Sequence, residues 1–371
     1  MKKKIFRNMD WGLVVCVIIL LTISLLALYS ATSSSDFDEF KKQIMWIGIS
    51  IPVMIILLFI DYDVFAKISP IMYVVMLLIL VAVLFTARVN GARSWFHIGS
   101  ITVQPSEFAK VILIIVLSSF IAKKQQQGER GRDEISRPLV LLEILAIVAV
   151  PIGLILLEPD IGTASAFILA TLSIIFVSGI KKRYIFIALI LVAITLPLVY
   201  IYVLPEHAKT RIEVFLNPGI DPRGAGYNII QSKLAVGSGE FLGMGLLKGN
   251  QTQLGFLYPK TTDFIFAVIG EEMGFVVGAT IILTYVTLIT RVIYIAKTSK
   301  DKLGSYIATG IAGIFIFHMT ENIGMTMGLL PITGVPLPFV SYGGSSLLSN
   351  LIMIAVLLNI SGRRQKAIFI D

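Results

Sequence analysis

Cysteine is nearly missing from this chain. Cys16 is the only one in 371 residues, and it sits in an apolar run, so neither a disulfide framework nor a cysteine-based metal site can be built. Charge is scarce too: Asp, Glu, Lys and Arg make up 15% of the residues, against about 25% in soluble domains. The P-loop, the GxGxxG fingerprint, HExxH and the serine nucleophile elbow are all absent, and GSSLL near Ser345 does not fit GxSxG. Nothing therefore points to an energy-coupled pump. The net charge of +8 is spread between apolar runs rather than gathered in one patch, which argues against a nucleic-acid surface.

What is present is apolar surface. The chain is 56% hydrophobic with a mean hydropathy of +0.88. A water-soluble fold cannot hide that much, so lipid is the solvent. The opening MKKKIFRNMD resembles the start of a signal peptide. The apolar run behind it is long, however, and lacks a convincing small-residue cleavage site, so it reads as a retained first span.

A spanning helix needs ~20 apolar residues at about 1.5 Å each. Nine runs qualify: Trp11–Tyr29, Ile44–Ile60, Ile68–Ala87, Pro138–Leu157, Ile161–Ile180, Tyr184–Leu204, Phe264–Thr290, Leu303–Leu330 and Val340–Ile360. A tenth, Val111–Ala122, is too short unless the helix starts near Pro105, which takes Glu107 and Lys110 into its first turn on one face. With ten spans, one set of connecting segments holds 20 of the 31 Lys and Arg residues, and six of the others lie in a single long loop. Positive residues favour the cytoplasm and long loops escape that rule. The fold expected is thus an all-α polytopic membrane protein with both termini cytoplasmic. Residues 1–371 form one integral-membrane domain, with a long ordered extracytoplasmic loop, 204–262, between the seventh and eighth helices.

The outer face then collects four segments: Asn90–Lys110, EPDIGTA at Glu158–Ala164, the long loop, and Gly328–Ser346. Trp95 and Arg93 suit an interfacial belt. Glu107 and Lys110 sit inside a span, where charges usually face a cavity. Asp160 can cap the helix after Pro159, or contact a ligand or metal; Glu158 calls for a cation. In the long loop, Tyr227–Val236 has the spacing of an amphipathic helix lying on the membrane face. Thr262 or Thr261 can cap the next helix, with Asp263 in its first turn, where the helix dipole favours the ionised form. Glu271 and Glu272 lie about two turns further in. His318 and Glu321 share a helix face and read as a structural pair, since one His and one Glu cannot fill a zinc ligand set.

These residues describe an outward polar cleft in an apolar bundle, suited to a lipid-linked substrate with an anionic head. Arg93, Lys110 or Lys233 could hold a diphosphate. A carboxylate could take a proton from an attacking hydroxyl, on the face opposite the leaving group as inversion requires. A divalent cation, Mg²⁺ or Mn²⁺, could share the charge neutralisation. The residues alone do not decide between moving such a lipid and reacting it.

The motifs NGARSWFHIG, QPSEFAK, EPDIGTA, GAGYNIIQSKLAVGSG, TDFIFAVIGEEMG and PITGVPLPFVSYGGSS run in order along the chain. In this the chain resembles the SEDS family of bacterial cell-wall proteins (shape, elongation, division, sporulation), and NIIQSK and GNQTQLGFL look closer to its RodA-type elongation branch. The resemblance implies a glycosyltransferase of about ten spans that polymerises lipid II into peptidoglycan outside the cytoplasmic membrane, alongside a class B penicillin-binding protein. It implies that Asp263 is the essential residue, and that Arg93, Trp95, Glu107, Lys110, Glu158, Asp160 and Ser341–Ser346, Ser345 included, line the cavity. Two positions depart from the family pattern: Thr261 stands where a histidine is usual, and Glu240 interrupts the usual GSGGL. The competing readings are a lipid-linked-precursor flippase, a non-catalytic scaffold, and a division or sporulation paralogue.

Overall fold

The structure, a computed structural model, describes residues 6–87, 92–99, 101–128, 131–202, 206–221 and 224–364. Lys2, Lys3, Lys4, Arg88, Arg130, Arg223 and Lys366, which entered the charge count, lie outside the described residues. The chain begins with α1 (Trp11–Ala31), α2 (Asp38–Phe59) and α3 (Tyr62–Val83), then a small antiparallel hairpin, β1 (Phe96–Ile98) and β2 (Ile101–Val103). Next come α4 (Pro105–Gln127), α5 (Pro138–Leu157), α6 (Ile161–Ser178) and α7 (Lys182–Tyr202). The long loop carries α8 (Glu206–Leu216), α9 (Ala225–Ser238) and the single turn α10 (Asn250–Gln253). The chain then returns through α11 (Ile265–Thr298), α12 (Lys302–Thr326) and α13 (Gly344–Arg363). Ten of these helices, α1 to α7 and α11 to α13, are long and apolar enough to cross a membrane.

The short fourth span starts where the proline argument puts it. Pro105 occupies the first turn of α4, where its missing N–H costs nothing, and Glu107 follows in the same turn. The hairpin ahead of it departs from the all-helical expectation. The second and third spans also differ: α3 starts at Tyr62 rather than Ile68, because Asp61 caps it through Asp63 N and leaves almost no connection after α2.

Helices α4, α12 and α13 form the centre of the bundle. Small residues allow the close approach. A β-carbon at Gly310 would meet Ile114 and Ile174 within 3 Å, and one at Gly313 would lie 3.1 Å from the Ala170 backbone, so α12 presses against α4 and α6 as tightly packed membrane helices do. The start of α1 and the end of α13 meet at one end of the bundle. There Asp10 N donates to Ser361 Oγ (3.2 Å), Arg291 pairs with Asp10 (2.8 Å), and Arg363 pairs with Asp61 (2.7 Å). This closure requires an even number of crossings.

Helix α11 is broken. Gly274 has φ 73° and ψ −173°, a conformation closed to other residues, and a β-carbon there would collide with the Gly243 backbone at 2.2 Å. The loop segment 240–245 takes up the backbone groups freed by the break. Phe275 N donates to Glu240 O (3.0 Å) and Val276 N to Phe241 O (3.2 Å), while Glu271 O and Glu272 O accept from Met244 N (2.9 Å) and Gly245 N (3.0 Å). The segment ahead of the break, Ile265 to Glu272, is buried throughout. Irregular backbone inside a membrane protein persists where protein covers it in this way. Helix α9 likewise packs on α11 and donates through Ser232 Oγ to Thr326 O at the end of α12 (2.7 Å), so it brackets the bundle as well as flanking it.

Candidate active site

Asp263 stands just before the broken helix, at the end of the bundle opposite the chain termini. The expected threonine cap is not formed. The helix starts at Ile265 with Phe264 as an uncapped N-cap, so Asp263 lies in the preceding turn and not in the first helical turn. The reason is tertiary: the carbonyls that would set up an earlier start are held by other parts of the chain. Tyr342 N donates to Thr261 O (2.9 Å), Ser341 Oγ to Thr262 O (2.6 Å), and Asn322 Nδ2 to Asp263 O (3.0 Å). Three consecutive peptide oxygens are thus clamped from two other elements, and the Asp263 carboxylate, partly exposed, is presented from a fixed backbone.

The loop between α12 and α13 closes over it. A β-carbon at Gly334 would lie 3.6 Å from Asp263 Oδ2. Asn322 Nδ2 also donates to Val335 O (2.8 Å), and Ser341 Oγ accepts from Leu337 N (2.8 Å), so the groups that hold the Asp263 turn hold the loop too. Gly162, at the start of α6, lets the same loop pass: its β-carbon would sit 2.5 Å from Val335 and 3.0 Å from Thr333 O. Asp160 caps α6 through Thr163 N (2.9 Å) and Thr163 Oγ1 (2.7 Å), the structural role open to it, and also accepts from Gln104 Nε2 (3.1 Å). Gln104 N in turn donates to Ser345 Oγ (3.0 Å). Four of the sequence motifs therefore meet around one turn.

Glu107 and Lys110 lie beneath this assembly as a sealed ion pair, 2.9 Å apart with side chains 2% and 0% exposed. Ser349 Oγ donates to Glu107 (3.0 Å), and Lys110 Nζ lies 3.1 Å from His318 Nε2. An ammonium can only donate, so Nε2 is the acceptor, and Nδ1 carries the proton that it donates to Pro336 O at 2.9 Å. The expected His318–Glu321 pair is thereby corrected. His318 serves Lys110, and Glu321 accepts from Thr333 Oγ1 (2.8 Å). Their shared helix face made them neighbours, but each turned to a tertiary partner.

Glu158 is fully buried, and neither carboxylate oxygen has a hydrogen-bond partner among the described residues. Burial pushes its carboxyl up to about 8; Ser94 beside it offsets part of the shift and the Asp160 charge adds to it. Burial also raises Asp160, against the hydrogen bonds from Thr163. Among the described residues no cation pairs with Glu158, and a proton neutralises a carboxyl shifted in this way. The folded state then holds this proton up to about pH 8, whereas an unfolded chain releases it near 4.5. The folded state binds more protons across that window, so stability falls as pH rises through it. Glu158→Gln should flatten the dependence of Tm on pH between 5 and 9, with its largest gain over the wild type, several degrees, at the alkaline end; unchanged pH dependence would count against a neutral Glu158.

The remaining candidates lie further out. Arg93 Nη1 donates to Leu84 O at the end of α3 (3.1 Å), leaving an exposed guanidinium, and Trp95 is half-buried in the same connection. Lys233 is exposed on α9, its stem lying over Gly328. Glu271 and Glu272 hold the start of α10: Glu271 accepts from Gln251 N (2.7 Å), Thr252 N (3.0 Å) and Thr252 Oγ1 (2.6 Å), and Glu272 from Gly249 N (3.3 Å) and Gln253 Nε2 (2.8 Å). They are fasteners for the long loop. Among the described residues no group of three or more His, Cys, Asp or Glu side chains gathers as a metal site.

The FtsW/RodA/SpoVE family of cell cycle proteins matches residues 9–366. The chain belongs to this family. The peptidoglycan glycosyltransferase MrdB of Escherichia coli K12 is 35% identical, over 96% of this chain and 95% of its own length. The stage V sporulation protein E of Bacillus subtilis is 38% identical, over 95% and 96%. Among solved structures, a peptidoglycan synthase complex that coordinates polymerization and crosslinking superposes with a TM-score of 0.81, at 26% identity over 95% of this chain and 97% of that one. The RodA crystal structure from Thermus thermophilus gives 0.71, also at 26%, over 96% and 98%. The expected class of enzyme, a glycosyltransferase, is thus that of named FtsW/RodA/SpoVE relatives, and the ten-helix fold is that of solved ones.

Within this FtsW/RodA/SpoVE site, sequence reasoning missed Asn322, Gln104 and Gln43. Asn322 carried a signal, as an amide inside the apolar α12. Gln43, in the second turn of α2, is fully buried although it reads as part of a solvated helix start.

Proposed function

We propose that this chain is a peptidoglycan glycosyltransferase that polymerises lipid II at the outer face of the bacterial cytoplasmic membrane, in cell elongation and shape, with Asp263 as general base. The observation that supports it best is the clamped turn, which holds a partly exposed carboxylate at the end of the bundle away from the basic-rich termini. In the reaction, Asp263 takes the proton of the acceptor sugar hydroxyl as its oxygen bonds to the donor's anomeric carbon. The bond to the lipid diphosphate breaks on the opposite face, giving inversion. Arg93 and Lys233 keep donors exposed toward such a diphosphate. Lys110, neutralised by Glu107, acts from below the site and contributes order more than charge. Trp95, Glu158, Asp160, Ser341 and Ser345 shape the walls.

A divalent cation, Mg²⁺ or Mn²⁺, belongs to the proposal as an ion carried largely by the substrate diphosphate, the usual way Mg²⁺ is held where a protein offers no cage. A class B penicillin-binding protein is the proposed crosslinking partner. The test is polymerisation of purified lipid II, with and without that partner, in Mg²⁺ and in chelator. Glycan strands in Mg²⁺ are the expected product. Precursor crossing sealed vesicles with no polymer formed would replace this reading with the flippase.

A further inference from the structure

We propose that the outer end of α2 positions Asp263, with Gln43 and Glu39 as its positioning residues. Both lie on the face that also carries Trp46, at helical spacings of four and three residues. The Gln43 side chain is completely buried, and its amide spans the turn after the α12–α13 loop: Nε2 donates to Ser341 O (3.4 Å) and Oε1 accepts from Gly343 N (3.5 Å). The Trp46 indole packs on Gly344, where a β-carbon would come 2.0 Å from the ring. Ser341 and Tyr342 are the residues that grip the carbonyls of Thr262 and Thr261. Gln43 therefore holds the clamp that holds the catalytic turn.

Glu39 lies one helical turn before Gln43 on the same face of α2, with Thr261 and Lys260 as its neighbours. Thr261 is two residues from Asp263. Glu39 is half-buried, and Lys260 lies close enough for their charges to interact. The Asp263 turn is thus braced through its backbone by Gln43 and through a side chain by Glu39. A misplacement of about 1 Å costs on the order of 10²-fold in rate without weakening substrate binding.

This inference rests on Asp263 being the base. The experiment is a kinetic series on the full-length chain with its partner in nanodiscs, using purified lipid II: Gln43→Ala, Gln43→Glu, Glu39→Ala, Glu39→Gln, Thr261→Val and the double variant Glu39→Ala/Thr261→Val. Gln43→Ala and Glu39→Ala should lower kcat by ~10–100-fold at nearly constant KM. Glu39→Gln, which keeps the acceptor, should recover most of the rate. The double variant should be no slower than either single one if Glu39 acts on the turn through Thr261. Wild-type kcat in Gln43→Ala and Glu39→Ala, or fully additive losses in the double variant, would overturn the proposal while Asp263→Asn stays inactive. Activity in Asp263→Asn would instead overturn the reading beneath it. Should Gln43→Ala fail to fold, the Glu39 and Thr261 cycle decides alone.

Discussion

Asp263→Asn should fold, insert into membranes and elute as the wild type does, yet make no glycan polymer. Asparagine keeps the size of the side chain, and the backbone of the turn is held by Tyr342, Ser341 and Asn322 through carbonyls that the substitution leaves intact. What it removes is the carboxylate that would accept the proton. General-base removal typically lowers a rate by about 10²–10⁴-fold, enough to take polymer below detection on a gel. Gel analysis of lipid II incubated with the variant, beside a thermal melt, checks both halves. Asp263→Glu should retain a small fraction of the rate, since it keeps the chemistry and displaces the carboxylate. Polymer from the asparagine variant at near wild-type levels would take Asp263 out of the active site.

The second large effect is on stability. Lys110→Met leaves Glu107 buried with its charge unanswered and takes the donor away from His318. Breaking one partner from a buried pair costs roughly 3–5 kcal/mol, whereas replacing both with apolar residues is often close to neutral. For a chain of 371 residues that corresponds to a fall in Tm of roughly 4–6 °C. The double variant Glu107→Met/Lys110→Met should recover most of it. Melts of the purified single and double variants in one detergent make the comparison. An intact melting temperature in Lys110→Met would mean that the pair is not closed as described. Activity should stay impaired even in the double variant, because His318 then lacks the partner that fixes its tautomer and its bond to the loop at Pro336.

Much of this architecture was legible in the residues. Hydropathy located ten spans, and the fourth was recoverable only because Pro105 marks a helix start that lengthens a run too short to cross. Basic residues suggested an even number of crossings, and the contact between Asp10 and Ser361 bears that out. The Gly274 break was not legible. GEEMGF reads as uninterrupted helix, and what opens it is a set of hydrogen bonds from the loop at 240–245. The same holds at the site. Asp263, Ser341 and the EPDIGTA segment each stood out alone, but periodicity could not say that Gly162 exists to let Val335 pass. His318 shows the limit most clearly: local spacing offered Glu321, while the partner that satisfies it comes from another helix, 208 residues away in sequence. Glu39 and Gln43 left no signal at all, because a polar helix start looks the same whether it faces water or a neighbouring loop.

The most direct test of the whole account is the side of the membrane on which position 263 lies. The chain has one native cysteine, buried, so Cys16→Ala gives a silent background for Asp263→Cys. A membrane-impermeant maleimide added to intact cells freed of outer barriers should label position 263 from outside, and prior blocking from outside should abolish labelling after lysis. Labelling only once the inner side is opened would place the carboxylate facing the cytoplasm, and glycan polymerisation at Asp263 would be contradicted.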